Sequence, residues 1–537
     1  MNKIGYSVGQ AAGVGVMAVN ADATLSTGSG GSSVFAGLVI SRRGAPGKVL
    51  QLTASNYKDV LGAPIHPRLG LAFEPYRHVQ QAVKGGDGYA VRVCPSDMKV
   101  PGIIISKASG DENQVEEGES FTLVGDYVLK AAQFGPYETP TLKDGELAII
   151  YVKDGEASTN RTISLENDGE DSDLQLLTLS ETLSDGSVVQ LETHQVSFDP
   201  EAVNDMAQPA WLQTMLESMS TRLGCVITSD DSDDMFSGLT FSDVAFVGGS
   251  DGTFSKITAE EYLKALATLE AAPVNVTAIL SLGCYDSTVI AALKDLAEAV
   301  RVDFFYDLSG NQMAVAAIAE AKGHGFGGSH QPSRYYFPCS CKDSATGMQV
   351  VFGISCDAFV AKAKGVAMVP DVGGWHYSPA GTSRGIIDRQ NITKIPNLDS
   401  IDLEAFVTAR INPVKVAANG DVYIDDALTT LSKKNYLRFQ HVSSLMNAIA
   451  RNFYELAEAI KHEPDGVTQE SLTKGMTALL ERFYAAGALV KPRDTSQGTE
   501  PFVITVTQLE IDLWQVEWAV CPTGTARRII GKPILMR

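Results

Sequence analysis

The first 33 residues constrain this chain most. Ile4, Tyr6 and Val8 alternate with Gly5, Ser7 and Gly9, and Val14 and Val16 carry the strand period onward. A Gly/Ser tract follows at 26–33 (STGSGGSS), with the composition of a flexible linker. A lone strand on a tether has no sequence neighbour, so its backbone donors and acceptors need a partner elsewhere. The other end repeats the theme. Trp514, Val516, Trp518 and Val520 alternate with Gln515, Glu517 and Ala519, and the chain then runs through Arg527, Arg528, Ile529 and Ile530 to Arg537 with no further acid. Two extended arms around a body predict β-strand exchange between subunits.

The charge is unevenly placed. The 537 residues carry 43 bases and 64 acids, a net of −21, which argues against a nucleic-acid backbone as the main partner. Residues 101–205 alone hold 22 acids and 5 bases, a net of −17, leaving −4 for the rest. That block reads as β-structure, with alternation at 121–124 and 162–165 and Asp-Gly turns at 144–145, 154–155 and 185–186. It is expected to be a solvated insertion. Seven scattered cysteines do not make a disulfide scaffold and point to a reducing compartment. No run approaches the 18 apolar residues of a membrane-spanning helix. The stretch at 11–19 behind Lys3, with Ala21-Asp22-Ala23 after it, outlines a cleaved leader. Gly13, Gly15 and the lack of Leu or Phe make it a poor one.

Between the arms the pattern is mixed. Residues 34–100 read as two strands, a short helix capped by Ser55, a helix over 74–84 and a strand over 89–93. From 206 to 395 helices and strands alternate. Helices are predicted at 205–223, 258–269 (Thr258 and Glu261 at capping-box spacing) and 288–299, and strands at 244–247, 274–280 and 301–306. Residues 396–537 predict two late helices, at 436–461 and about 469–486. In the second, Leu472, Met476, Leu479 and Phe483 are the buried positions. Strands at 502–511 and 514–520 follow.

GxxxxGK[ST] and HExxH do not occur, and Gly13-Val14-Gly15 lacks both the third glycine and the βαβ setting of a dinucleotide site. The glycine-rich segment 323–328 has no following Lys-Ser/Thr and reads as a mobile loop. His324, His330, Cys339 and Cys341 form the one metal-like cluster, without zinc-knuckle spacing. The run Asp230-Asp231-Ser232-Asp233-Asp234 lacks an EF-hand's glycine and distal Glu. No catalytic residue, metal or cofactor is expected. An α/β enzyme with a ligand or metal site near 323–328 stands as the alternative, and a secreted protein with a cleaved leader as a third reading.

Several segments, in order, resemble the tail sheath proteins of contractile-tailed bacteriophages and related contractile injection systems. These are Arg43-Gly44-Ala45-Pro46-Gly47 through Leu61-Gly62, Gly85-Gly86 before Tyr89-Ala90-Val91-Arg92-Val93, and Ser378-Pro379-Ala380-Gly381 with Arg384-Gly385. Ile411-Asn412-Pro413-Val414, His462-Glu463-Pro464-Asp465 and the final strand with its basic tail complete the set. Two positions depart from the family pattern: Arg410 stands where a glycine is usual, and Tyr423-Ile424-Asp425 replaces a Trp-Gly pair.

The resemblance implies a multidomain α/β and α+β chain. Its parts are an N-terminal strand arm and linker (1–33), a small α+β domain (34–100), an acidic β-rich insertion (101–205), an α/β middle domain (206–395), a C-terminal α+β sheath domain (396–521) and a basic arm (522–537). It further implies a structural homo-oligomer, hexameric rings stacked around an inner tail tube, with baseplate and tail terminator proteins as partners. Neither direct nucleic-acid binding nor membrane insertion is implied. The location implied is a virion tail assembled in the host bacterial cytoplasm. The strand arms would use Ile4, Tyr6, Val8, Val14, Val16, Trp514, Val516, Trp518, Val520, Ile529 and Ile530. The helix at 469–486, through Glu470, Lys474, Glu481 and Arg482, is the candidate tube-attachment face; as a core helix it would simply show these residues to solvent.

Overall fold

Strands that are apolar on both faces need cover on both sides, and Phe35–Val39 (FAGLV) and Asp303–Leu308 (DFFYDL) are buried throughout. They lie near the middle of a seven-stranded sheet in a computed structural model describing residues 32–108, 121–157, 160–169, 174–183, 185–204, 206–228, 235–396 and 398–527. The spatial order is Ile411–Asn412, Pro332–Tyr336, Asp303–Leu308, Ala278–Leu280, Phe35–Val39, Gly88–Arg92, Val49–Leu52. The first six strands are parallel and Val49–Leu52 is an antiparallel edge. One face carries the helices Ala259–Ala271, Ser287–Val300, Ala314–Gly323 and Leu403–Ala409. The other carries Tyr57–Leu61, Glu74–Ala82 and Ser355–Ala367.

This topology changes the expected organisation. Residues 34–100 do not form a small domain of their own, because Phe35–Val39 pairs with Ala278–Leu280 across 243 residues of sequence. Neither short segment could bury both faces of its strands alone. The capping box at Thr258/Glu261 is present. The short helix starts after Asn56, not Ser55. The helix predicted at 205–223 shrinks to Leu212–Ser218, since Leu223–Ile227 is drawn into a sheet against Glu146–Val152.

That sheet belongs to the insertion, which is larger than expected. It leaves and rejoins the body at a bridge between Lys99 and Ser250 whose two N–H···O bonds are both 2.9 Å. A five-stranded sheet (Leu223–Ile227, Glu146–Val152, Val100–Lys107, Tyr127–Phe134, Phe121–Val124) and a four-stranded one (Val188–Val196, Gln175–Thr182, Arg161–Asn167, Phe241–Ala245) enclose a single core. The insertion therefore ends near 250, not 205. Its turns hold Gly145, Gly155 and Gly186 at φ 86, 69 and 84°, as Asp-Gly turns require.

The C-terminal part rests on the sheet through the helix Gln440–Ile460. Its first half is buried all round, and the polar positions there meet polar partners. Ser444 Oγ and Asn447 Nδ2 (2.9 Å) donate to buried Asp303, and Ser443 Oγ donates to the His330 carbonyl at 2.7 Å. Arg410, at the usual glycine position, is left-handed (φ 56°) as the C-cap of Leu403–Ala409, and its guanidinium bonds the carbonyls of Leu431 and Ser432. Among the described residues no helix is long and apolar enough to cross a membrane, and all seven cysteines are free thiols.

Candidate subunit interface

The chain's last regular element is a hairpin of Phe502–Glu510 and Leu513–Val520. Phe502, Ile504 and Val506 pair with Val520, Trp518 and Val516, and this face turns inward onto the two late helices. The Trp518 ring lies 4.7 Å from Phe453, and Val520 is 1% exposed. The opposite face pairs Val503 with Ala519 and Thr505 with Glu517, leaving Val503 55% exposed, with Leu509 and Ile511 exposed near the turn.

Among the described residues this is a two-stranded sheet, so both strands keep an unpaired outer edge. Edges eight and nine residues long, flanked by apolar side chains, are templates for pairing with another chain. A two-stranded hairpin is marginal alone; here the helices Gln440–Ile460 and Asp465–Ala485 support one face and leave the edges bare.

The structure places the predicted site residues as follows. Trp514, Val516, Trp518 and Val520 lie in this intrachain hairpin, so they belong to the sheet that an arm could join and not to an arm. Pairing across a tight turn 511–512 satisfies one edge locally, which the alternation alone could not reveal. Ile4, Tyr6, Val8, Val14, Val16, Ile529 and Ile530 lie outside the described residues, as does the acidic run 230–234. Arg527 is tied back to the body, its Nε donating to Asp426 at 2.8 and 2.9 Å.

On the helix Asp465–Ala485 the expected Leu472, Met476, Leu479 and Phe483 are buried. Glu470, Lys474, Glu481 and Arg482 are exposed on its outer side. Glu470 pairs with Lys474 one turn away, and Arg482 reaches across to Asp371 (Nε to Oδ2 2.8 Å).

The alternative site does not assemble. The segment 323–328 is packed: Phe326 is buried, the His324 ring stacks on it at 5.4 Å, and the Gly327 carbonyl accepts from Ser432 N and Oγ, each 2.8 Å. Burial lowers both His324 and His330 to about 4, so both are neutral at neutral pH. The Cys339 and Cys341 thiols lie buried on the strand Cys339–Lys342, and burial raises Cys339 to about 11. Among the described residues no three His, Cys, Asp or Glu side chains are placed to hold a metal ion.

In a parallel sheet ligands bind beyond the C-terminal strand ends where the order reverses, here between Phe35–Val39 and Ala278–Leu280. The loop after Ala278–Leu280 is closed by the helix Glu74–Ala82. A Cβ at Gly283 would lie 2.8 Å from the Glu74 Cβ and 3.1 Å from His78 Cδ2.

What occupies that position is a buried polar cluster with no signature in the sequence. Tyr285 Oη donates to Glu74 Oε2 at 2.8 Å, and burial pushes the Glu74 carboxyl up to about 8. Asp307 accepts from the Ile354 and Ser355 amides (2.7 and 2.9 Å), capping Ser355–Ala367 from a strand 47 residues away. Arg77 pairs with Asp343 through Nε and Nη2 at 3.0 and 2.7 Å, both side chains almost fully buried.

No family model and no curated protein matches this sequence. Among solved structures, the sheath tail protein Lin1278 from Listeria innocua superposes with a TM-score of 0.56 at 14% identity, covering 94% of each chain. The chain has the fold of a sheath tail protein. The helical sheath of the anti-feeding prophage in its contracted state gives a TM-score of 0.49 at 11% identity, over 98% of this chain and 99% of that one. The sheath tail protein DSY3957 from Desulfitobacterium hafniense gives 0.46 at 12%, over 91% and 96%.

Proposed function

We propose that this chain is a structural subunit of a contractile tail sheath and not an enzyme. It would polymerise as stacked six-membered rings around an inner tail tube, and contract to drive that tube through a host envelope. The observation that carries the reading is the sheath-tail fold extending over 94% of the chain. The open hairpin edges supply the physical means. An arm of a neighbouring subunit, carrying Ile4, Tyr6 and Val8 or Ile529 and Ile530, would extend the hairpin sheet. Five backbone hydrogen bonds at about 0.5–1.5 kcal/mol each would contribute roughly 2–8 kcal/mol per arm before packing.

Such links keep a lattice connected while bodies rotate, with the tract 26–33 as hinge. Contraction is then relaxation of a metastable lattice to one with more buried interface and needs no nucleotide. Glu470, Lys474, Glu481 and Arg482 would meet the tube in a weak, polar contact that breaks on contraction. Baseplate and terminator proteins would bound the polymer, in a tail assembled in the bacterial cytoplasm, and the acidic insertion would face outward. Negative-stain microscopy of the concentrated full chain tests the reading. Hollow tubes or rings are expected. Discrete particles with a saturable thermal shift from nucleotides or divalent metals would favour the enzyme instead.

A further inference from the structure

The insertion has its own core, yet its base is not a simple two-strand neck. The loop Asp154-Gly155-Glu156 docks onto the turn that follows the central strand Phe35–Val39. Gly44 N donates to the Asp154 carbonyl at 2.8 Å. Arg92, fully buried on the central sheet, donates to the carbonyls of Ser41 (3.0 Å), Arg42 (2.8 Å) and Gly44 (3.2 Å) on the body side. The same guanidinium donates to Gly155 (2.9 Å) on the insertion side. Gly155 is left-handed (φ 69°), and a Cβ there would sit 2.5 Å from Arg92 Nη1, so the contact admits only glycine.

Around this seam the charges alternate across the junction. Arg43 of the body bonds Glu156 of the insertion at 2.9 Å. Arg222 of the insertion holds Asp59 of the body with two bonds of 3.0 and 3.1 Å and lies 3.7 Å from Glu192. Arg161 grips Asp154 from behind with two bonds of 2.9 Å, both side chains shielded from water. Arg42 pairs with Asp251 where the chain returns. The Arg43–Glu156 pair across the junction is shielded from water, and Arg161–Asp154 behind it is both shielded and bidentate; such pairs fix geometry better than exposed single ones.

We propose that this arginine–carboxylate seam is a rigid clamp that makes the inserted β-sandwich and the central sheet turn as one body. The acidic surface would then be carried round with every rotation of the subunit and would not trail on a flexible neck. The clamp acts within one chain, so its test and that of the sheath reading fail separately.

The test places spin labels at V188C on the insertion and K264C on the body, in full-length protein with Cys521→Ser. The parent should give one narrow distance distribution. The double variant Arg43→Ala/Arg222→Ala should broaden it at least twofold and split calorimetric unfolding into two transitions. The isosteric Asp59→Asn/Glu156→Gln, which removes charge and little volume, should broaden it less but measurably, and covers the case in which the alanine variant fails to fold. A broad distribution in the parent, or an unchanged width in the isosteric variant, overturns the clamp.

Discussion

Replacing Glu74 with glutamine tests the reading of the buried cluster. The carboxyl keeps its proton to about pH 8 in the folded chain against an ordinary value of 4.5. Between those values the folded chain holds a proton that the unfolded chain has released. This group's contribution to stability is therefore fully present below pH 4.5, declines as pH rises and is flat above about 8. The decline is about 1.4 kcal/mol per pH unit, on the order of 5 kcal/mol in total for a displacement from 4.5 to about 8. Asp307, raised by burial to about 6, adds a slope of the same sign below that pH. His78, lowered by burial to about 3, is protonated in the unfolded chain up to its ordinary 6.5 and so adds a slope of opposite sign below that pH, the same in both proteins; Tyr285, pushed well above 10 by burial, does not titrate in the window. Glutamine keeps an acceptor for Tyr285 and cannot ionise. In urea unfolding from pH 5 to 9, the parent should lose stability relative to Glu74→Gln by about 1.4 kcal/mol per pH unit up to about pH 8, slopes shared by the two proteins cancelling in the difference, and Glu74→Gln should be the more stable protein at pH 8.5. Parallel profiles for the two proteins would refute the argument.

Asp343→Ala strands the Arg77 guanidinium in the core and should cost about 3–5 kcal/mol in urea unfolding; the Arg77→Met/Asp343→Leu double variant should recover most of it. Trp518→Ala removes a ring packed on Phe453 at a half-buried site and should cost about 2–3 kcal/mol, read as lost amide protection confined to the hairpin and late helices. Six of the seven free cysteines are buried and Cys521 is half-buried. Native protein should thus react with a thiol reagent at Cys521 first, with the other six released only on unfolding.

Much of the body was legible because helices and turns are local. The capping box at Thr258, the Asp-Gly turns of the insertion and the apolar stripe of Leu472, Met476, Leu479 and Phe483 each follow from residues a few positions apart. What could not be read was pairing at a distance. Phe35–Val39 and Ala278–Leu280 meet across an inserted sandwich, so a stretch that looks like a small domain is half of a sheet. Leu223–Ile227 begins where the predicted helix 205–223 ends, and its partner Glu146–Val152 draws it into a sheet. On Gln440–Ile460 the polar Ser443, Ser444 and Asn447 are buried because the His330 carbonyl and Asp303 accept their hydrogen bonds, partners more than 100 positions away. The clamp residues Arg43, Arg92, Asp154 and Arg222 lie up to 163 positions from their partners, with no local signal. At the C-terminus the alternation of Trp514 to Val520 correctly marked a strand, but its partner was its own neighbour Phe502–Glu510.

The central claim is that a terminal arm of one subunit completes the hairpin sheet of another. Deleting residues 1–22 and comparing the truncated with the full chain, by electron microscopy and sedimentation at matched concentration, tests it most directly. The account predicts tubes or rings from the full chain, and from the truncation a folded monomer with unchanged thermal midpoint that forms neither. Tubes assembled equally well by the truncated chain would contradict it.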